Sequence, residues 1–238
     1  MKIVDCIWEQ ANLGCRVAEI SIGAEDPFPT EVLSELETQF DYIVLKFAVN
    51  NFLHYQMAAK AQYVFIETQL SIKKKVADLK LSPREEKLIS YFSAKEVTSK
   101  VGLEKVIQKI DSNMFVTDRI YLDPLFGPEF SARRYQNWTR SAFEQGATLF
   151  RYFYRDTEIG FGLSKTEDKV SIGLLGGAYD GEGMGIMVPI GALIVKNKEI
   201  EWIRTKISMN NTPVLKLYNH FNFEITDTEY VFVKHIQH

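Results

Sequence analysis

Apolar and polar positions change period several times along this chain, and each change marks an element. Residues Asp41 to Phe47, DYIVLKF, are rich in β-branched and aromatic side chains and predict a strand. Asn50-Asn51 follows as an N-cap, because a short side-chain oxygen can accept from the first unpaired backbone N–H groups of a helix. That helix is expected to run to about Ala61, and a second strand from Tyr63 to Ile72, giving a strand–helix–strand unit over 41–72. Residues 80–112 are polar, with Val101, Leu103, Val106 and Ile110 at helical spacing, and read as a connector plus a helix. No internal repeat and no low-complexity tract is apparent.

A second unit begins near Asp118. Ser131 to Glu144 brings Tyr135, Trp138 and Phe143 toward one helical face. Three strand-like runs follow, 148–155, 158–165 and 170–178, and the short polar turns between them predict an antiparallel meander. A glycine-rich turn then precedes a helix expected over 184–196. A strand (202–208), a helix (Pro213 to His220) and a strand (229–236) complete the pattern, with Pro213 suited to a first helical turn. The fold class is mixed α/β (α+β), with a mostly antiparallel central sheet flanked by helices. The expected boundary separates a smaller N-terminal α/β domain, 1–110, from a second domain, 111–238.

Composition narrows the function classes. The 238 residues are 46% hydrophobic and 25% charged, an ordinary globular balance. A formal net charge of -3 gives no concentrated positive field for a nucleic-acid backbone, and Lys73-Lys74-Lys75 reads as a solvated strand end. No stretch approaches the ~18 uncharged apolar residues of a membrane span, and Asp5 and Glu9 interrupt any signal-peptide pattern. A cytoplasmic location is therefore expected. Cys6 and Cys15 lack metal or CxxC spacing, and His54, His220, His235 and His238 form no HxxxH pair, so reduced thiols and no metal are expected.

The best local chemistry lies in GLLGGAYDGEGMGI, residues 173–186. A strand, a glycine turn and a helix start in succession let backbone approach a ligand and aim unpaired N–H groups at an anion such as a pyrophosphate. A turn that merely reverses the chain is the alternative. A dinucleotide fingerprint also opens as Gly181-x-Gly183, but its third glycine would fall at Ile186. In addition, Glu199 and Glu201 precede the next strand instead of ending it.

Downstream, residues 211–223, NTPVLKLYNHFNF, resemble the N-x-x-A-x-x-L-Y-x-x-x-G-F segment of the GNAT superfamily of N-acetyltransferases. Tyr179 to Gly185 is similar to that family's pyrophosphate loop. Residues 118–143 resemble a segment of the bacterial dTDP-fucosamine acetyltransferases, with Arg119, Asp123, Pro124, Tyr135 and Trp138 at matching positions. Residues 41–72 resemble that branch's smaller N-terminal domain, with Glu67-Thr68 for its D-T pair.

The resemblance implies an acyl-CoA-dependent N-acetyltransferase that uses acetyl-CoA as co-substrate and no metal. Its acceptor would be a small-molecule primary amine, foremost a nucleotide-linked amino sugar, with no nucleic-acid or membrane partner and a homodimer left open. It further implies a splayed strand whose Leu175, Gly176 and Gly177 bind the pantetheine and the thioester oxygen. Gly181, Glu182, Gly183, Met184, Gly185 and Ile186 would hold the pyrophosphate, Asn211 the pantetheine arm, and Tyr218 would be the general acid. Each has a plainer alternative: a β-bulge without a ligand, an N-cap at Asn211, and Tyr218 as packing. Asp180 and Glu182 place carboxylates beside the anion, so affinity would rest on backbone N–H groups and distant lysines. A GNAT for another small amine, or one that binds without turnover, are the competing functions. No base stands out: Glu67, Asp123 and Glu129 are unranked, and His220 would face away from Tyr218. Tyr135 and Trp138 either line an acceptor pocket or fill core.

Overall fold

The computed structural model describes residues 1–179, 191 and 199–237. Its N-terminal elements are β1 (Lys2–Asp5), α1 (Ile7–Leu13), β2 (Val17–Ile22), α2 (Thr30–Leu36), β3 (Tyr42–Ala48), α3 (Phe52–Lys60) and β4 (Val64–Lys75). A 3₁₀ turn (Val76–Asp78), α4 (Pro83–Ile89), β5 (Phe92–Glu96), α5 (Lys100–Ile107), α6 (Arg119–Leu122) and α7 (Pro128–Glu144) follow. Then come β6 (Thr148–Tyr154), β7 (Thr157–Glu167), β8 (Val170–Ala178), β9 (Trp202–Ser208), α8 (Thr212–His220) and β10 (Glu224–His235).

Among the described residues, ten strands join one sheet in the order β1-β2-β3-β10-β4-β9-β8-β7-β6-β5, and of their pairings β2/β3 and β8/β9 are the parallel ones. The expected mixed, mostly antiparallel sheet flanked by helices is what forms. Strand alternation splits the apolar residues between two faces. Ile43, Leu45 and Phe47 of β3 pack with α2 and α3, while Tyr42 and Val44 pack with α1 and α6. Likewise Leu70 and Ile72 of β4 meet α8, and Phe161 and Leu163 of β7 meet α5 and α7.

The sequence shows no repeat to the eye, yet the structure contains one. β3–α3–β4 and β9–α8–β10 have equal lengths and equal spacing, with Tyr42 corresponding to Trp202 and every later residue following without a gap. Both helices are capped by asparagine, Asn51 accepting from His54 N and Asn211 from Val214 N. Both helix-to-strand turns use a left-handed residue, Gln62 at φ 65° and Asn222 at φ 53°. β4 and β10 pair antiparallel about their own centre, so Gln69 lies opposite its counterpart Glu229. The four central strands therefore share an internal pseudo-two-fold axis. Few residues coincide between the two copies, and the two bury different partners.

Several boundaries differ from the expected ones. The last strand begins at Glu224 instead of 229, and in 80–112 the expected helix forms as α5 while the expected connector before it holds α4 and β5. The expected division at 110 falls between α5 and α6. β5, on one side of it, pairs with β6 on the other, and β10 lies between β3 and β4. Most of the helix expected over 184–196 lies outside the described residues. Among those described, no helix is long and apolar enough to cross a membrane.

Candidate functional site

The parallel pair β8/β9 is hydrogen-bonded only from Val170/Trp202 to Gly173/Thr205. The Thr205 hydroxyl donates to the Gly173 carbonyl at 3.0 Å, where pairing ends. Immediately beyond, β7 pairs Ser164 with Gly173 and Leu163 with Leu175, which leaves Leu174 as a β-bulge. A bulge bends and twists the strand that carries it. From there β8 follows β7 to Ala178, while β9 follows β4 to Ser208. Leu175, Gly176 and Gly177 thus keep β7 on one side and have no strand on the other among the described residues. A bulge was the plainer alternative for these three, and it forms one residue earlier.

This opening is the centre of a cleft of about 1900 Å³ that reaches both faces of the sheet. On the α8 face it is lined by Asn211, Leu217 and Tyr218. Asn211 is an N-cap and borders the cleft as well, its Oδ1 accepting from Val214 N at 3.3 Å. Tyr218 packs edge-on against Phe223, with ring centroids 4.7 Å apart, and burial pushes its phenol up to about 12. It therefore stays protonated at neutral pH. Packing and exposure to the cleft coexist in this one side chain.

On the opposite face, α6, α7 and the loop before them supply Phe115, Arg119, Tyr135 and Trp138. Phe115 stacks on Tyr135 at 3.7 Å, and Trp138 lies 5.8 Å from Tyr135. The same loop sends Met114 over β8. A Cβ on Gly177 would meet the Met114 sulfur and the Phe161 ring, so a larger residue there would displace the Met114 side chain. Behind the aromatic wall, Glu9 of α1 accepts from Arg119 Nη2 at 2.8 Å and from Arg134 Nε at 2.8 Å. Burial opposes ionisation of Glu9, but the two guanidiniums hold its carboxyl below the usual range. Removing one partner of such a buried network leaves an uncompensated charge, at a cost of about 3–5 kcal/mol.

Geometry now separates the three carboxylates. Glu67 is 2% exposed and lines the cleft, and among the described residues no cation is in ion-pair contact with it. The Gln69 amide donates to Glu67 Oε1 at 3.0 Å. Burial raises its pKa, the Ser208 hydroxyl opposes that, and Asp118 adds to it. Asp123 is away from the cleft lining, buried beside His235 Nε2 at 2.8 Å. Glu129 is exposed in the first turn of α7. His220 sits at the surface, 2.6 Å from Glu85. Gly181, Glu182, Gly183, Met184, Gly185 and Ile186, with Asp180, lie outside the described residues.

Sequence reading missed the contribution of residues 1–40. Glu9 and Glu19 border the cleft, and Glu19 Oε1 lies 2.9 Å from Nζ of Lys46 on β3, which borders it too. The alternation in VAEISI, residues 17–22, was the available signal: it makes a strand whose Glu19 and Ser21 fall on the face opposite Ala18, Ile20 and Ile22.

No family model and no curated protein matches the chain. Solved structures do. A conserved protein of unknown function from Staphylococcus epidermidis aligns at TM-score 0.66 and 12% identity, over 93% of this chain and 84% of that one. A GCN5-related N-acetyltransferase from Kribbella flavida aligns at TM-score 0.56 and 12% identity, covering 92% and 81%. A tandem GNAT protein from the clavulanic acid biosynthesis pathway aligns at 0.53 and 10% identity, covering 94% and 79%. The chain therefore has the fold of the GCN5-related N-acetyltransferases.

Proposed function

We propose that the chain is an N-acetyltransferase that moves an acetyl group from acetyl-CoA to a small primary amine in a ternary complex. The observation that carries this reading is the opening between β8 and β9, where among the described residues no strand pairs with Leu175–Gly177 on the side away from β7, in a cleft that Tyr218 and Asn211 also line. A pantetheine arm is an extended chain with amides, and a strand edge bared on one side suits it. Acetyl-CoA, when bound, supplies the acetyl group as a thioester open to attack. Backbone groups of Leu175, Gly176 and Gly177 orient the arm and the thioester oxygen, and Asn211 adds a polar contact. Gly181, Glu182, Gly183, Met184, Gly185 and Ile186 hold the pyrophosphate. Tyr218 keeps a proton at neutral pH and gives it to the leaving sulfur. Holding amine and carbonyl together makes the attack effectively unimolecular.

The acceptor we put forward is the amino group of a nucleotide-linked sugar, on the resemblance of residues 118–143. Arg119, Tyr135 and Trp138 of that segment border the cleft, which favours it. The second reading is a protein that binds acyl-CoA without turnover, favoured by the carboxylates of Asp180 and Glu182. Calorimetric titration with acetyl-CoA, joined to thiol-release assays over a panel of amines and dTDP-linked 4-amino sugars, tests the proposal. Absence of CoA binding at millimolar concentration would sink it. Binding without thiol release for any amine would favour the second reading.

A further inference from the structure

Glu67 belongs to β4, a strand of the N-terminal copy of the repeat, whereas the β8/β9 opening belongs to the C-terminal copy. It lies on the face of the sheet opposite Tyr218. β4 pairs Gln69 with Ser208 and Leu70 with Ile207, so its odd-numbered residues share a face with Lys206 and Ser208, away from α8. The side chain is 2% exposed, yet it borders the cleft beside the ring wall of Phe115, Tyr135 and Trp138. Among the described residues only neutral donors touch this carboxylate, which is unusual in such a place, because buried charges are normally paired. The carboxylates of Glu9, Glu19 and Asp118, which line the same cleft, are already matched. Glu9 holds Arg119 and Arg134, Glu19 holds Lys46, and Asp118 receives Ile120 N and faces Arg134 at 3.8 Å. Its counterpart in the repeat, Asp227, is exposed.

Resting on the acetyltransferase reading, we propose that Glu67 receives the acceptor's ammonium group and takes its first proton, while the Phe115–Tyr135–Trp138 wall contacts the ring that carries it. The substrate class is a primary amine on a ring, since stacked aromatic faces select flat or cyclic bodies and a lone buried carboxylate selects a cation. Glu67 accepts one proton from R–NH₃⁺, and the freed lone pair forms the N–C bond to the thioester carbon. The C–S bond breaks and the sulfur takes the Tyr218 proton. The second nitrogen proton leaves to water, water reprotonates Tyr218, and the proton on Glu67 passes to solvent. Amide, free thiol and one proton balance the ammonium and the thioester. The groups that face Glu67 are Gln69 on its own strand, Ser208 on β9, Asp118 before α6, Arg119 on α6 and Tyr135 on α7.

Carbon-13 labelling of glutamate carboxyls tests this without turnover, the Glu67 signal being assigned by its loss in Glu67→Gln. Glu67 should titrate above the ordinary glutamate value of about 4.3, and fall by about one unit or more in 10 mM benzylamine or cyclohexylamine. In the acetyl-CoA assay, Glu67→Gln should lower kcat/KM for the amine about 100-fold or more and flatten the acidic limb of its pH profile. Glu67→Asp should recover part of the loss, and the Kd for acetyl-CoA should hold within about twofold in both variants. A Glu67 titration unmoved by either amine, or a Glu67→Gln protein as active as wild type, overturns the proposal. Failure of wild-type protein to bind acetyl-CoA overturns the acetyltransferase reading alone, because the amine titration needs no thioester.

Discussion

Two parallel strand pairs occupy matching places in the repeat, β2/β3 and β8/β9, and they end differently. β2/β3 stays paired from Val17/Tyr42 through Ile22/Phe47, whereas β8/β9 stops at Gly173/Thr205. Strand β2 reads VAEISI without a glycine or a bulge, while β8 carries the Leu174 bulge and Gly173, Gly176 and Gly177. The helix positions differ too: where α8 has Tyr218, α3 has Ala58, at 0% exposure. In the first copy Ile20, Leu45 and Phe47 fill the space with side chains. One topology thus yields either a solid core or a cleft, and a single extra residue plus a few small ones decides which.

Five substitutions, in three comparisons, probe that contrast. The largest effect is expected from Tyr218→Phe, which should lower turnover about 10²–10⁴-fold while the acetyl-CoA Kd moves by less than about threefold. Steady-state kinetics beside calorimetry reads both, and unchanged turnover would remove Tyr218 from its role. Next, Leu45→Ala in the closed copy should cost about 2–5 kcal/mol in urea unfolding, because Leu45 is fully buried. Leu175→Ala in the open copy, only partly buried, should cost less than about 1 kcal/mol and instead weaken acetyl-CoA. Equal losses would mean the cleft is packed like a core. The smallest effects come from the paired caps. Asn51→Ala and Asn211→Ala should each lose about 1 kcal/mol, and only the second should also weaken acetyl-CoA binding. If both weaken it alike, the two copies do not divide cap from ligand contact as described.

Much of this was legible in the chain. The β6–β7–β8 meander turns at Arg155-Asp156 and Asp168-Lys169, where Arg155 and Asp168 adopt positive φ, against expected turns at Asp156-Thr157 and 166–169: the first is shifted by one residue and the second lies within its expected range. Asn51 and Asn211 were readable as caps because capping chemistry is local. The repeat was not readable. Ile43, Lys46, Asn50, Asn51, Thr68 and Lys74 are its six identities, matched by Ile203, Lys206, Asn210, Asn211, Thr228 and Lys234. Nothing local marks them as equivalent, since the equivalence lies in strand register. The bulge at Leu174 was hidden for a similar reason, as it exists only relative to β7 and β9. Glu67 is one carboxylate among three in the sequence, and only the fold sets Asp123, at the end of α6, beside His235 and leaves Glu67 in the cleft.

The position of β10 has a consequence for synthesis. Residues 224–235 fill the gap between β3 and β4, so both strands emerge from the ribosome long before the strand that joins them exists. Until then each presents a bare edge of β-branched and aromatic residues, the kind of template that other chains pair with. The sheet's middle is thus its last part to close, and nascent chains halted before residue 224 should remain open to protease at β4.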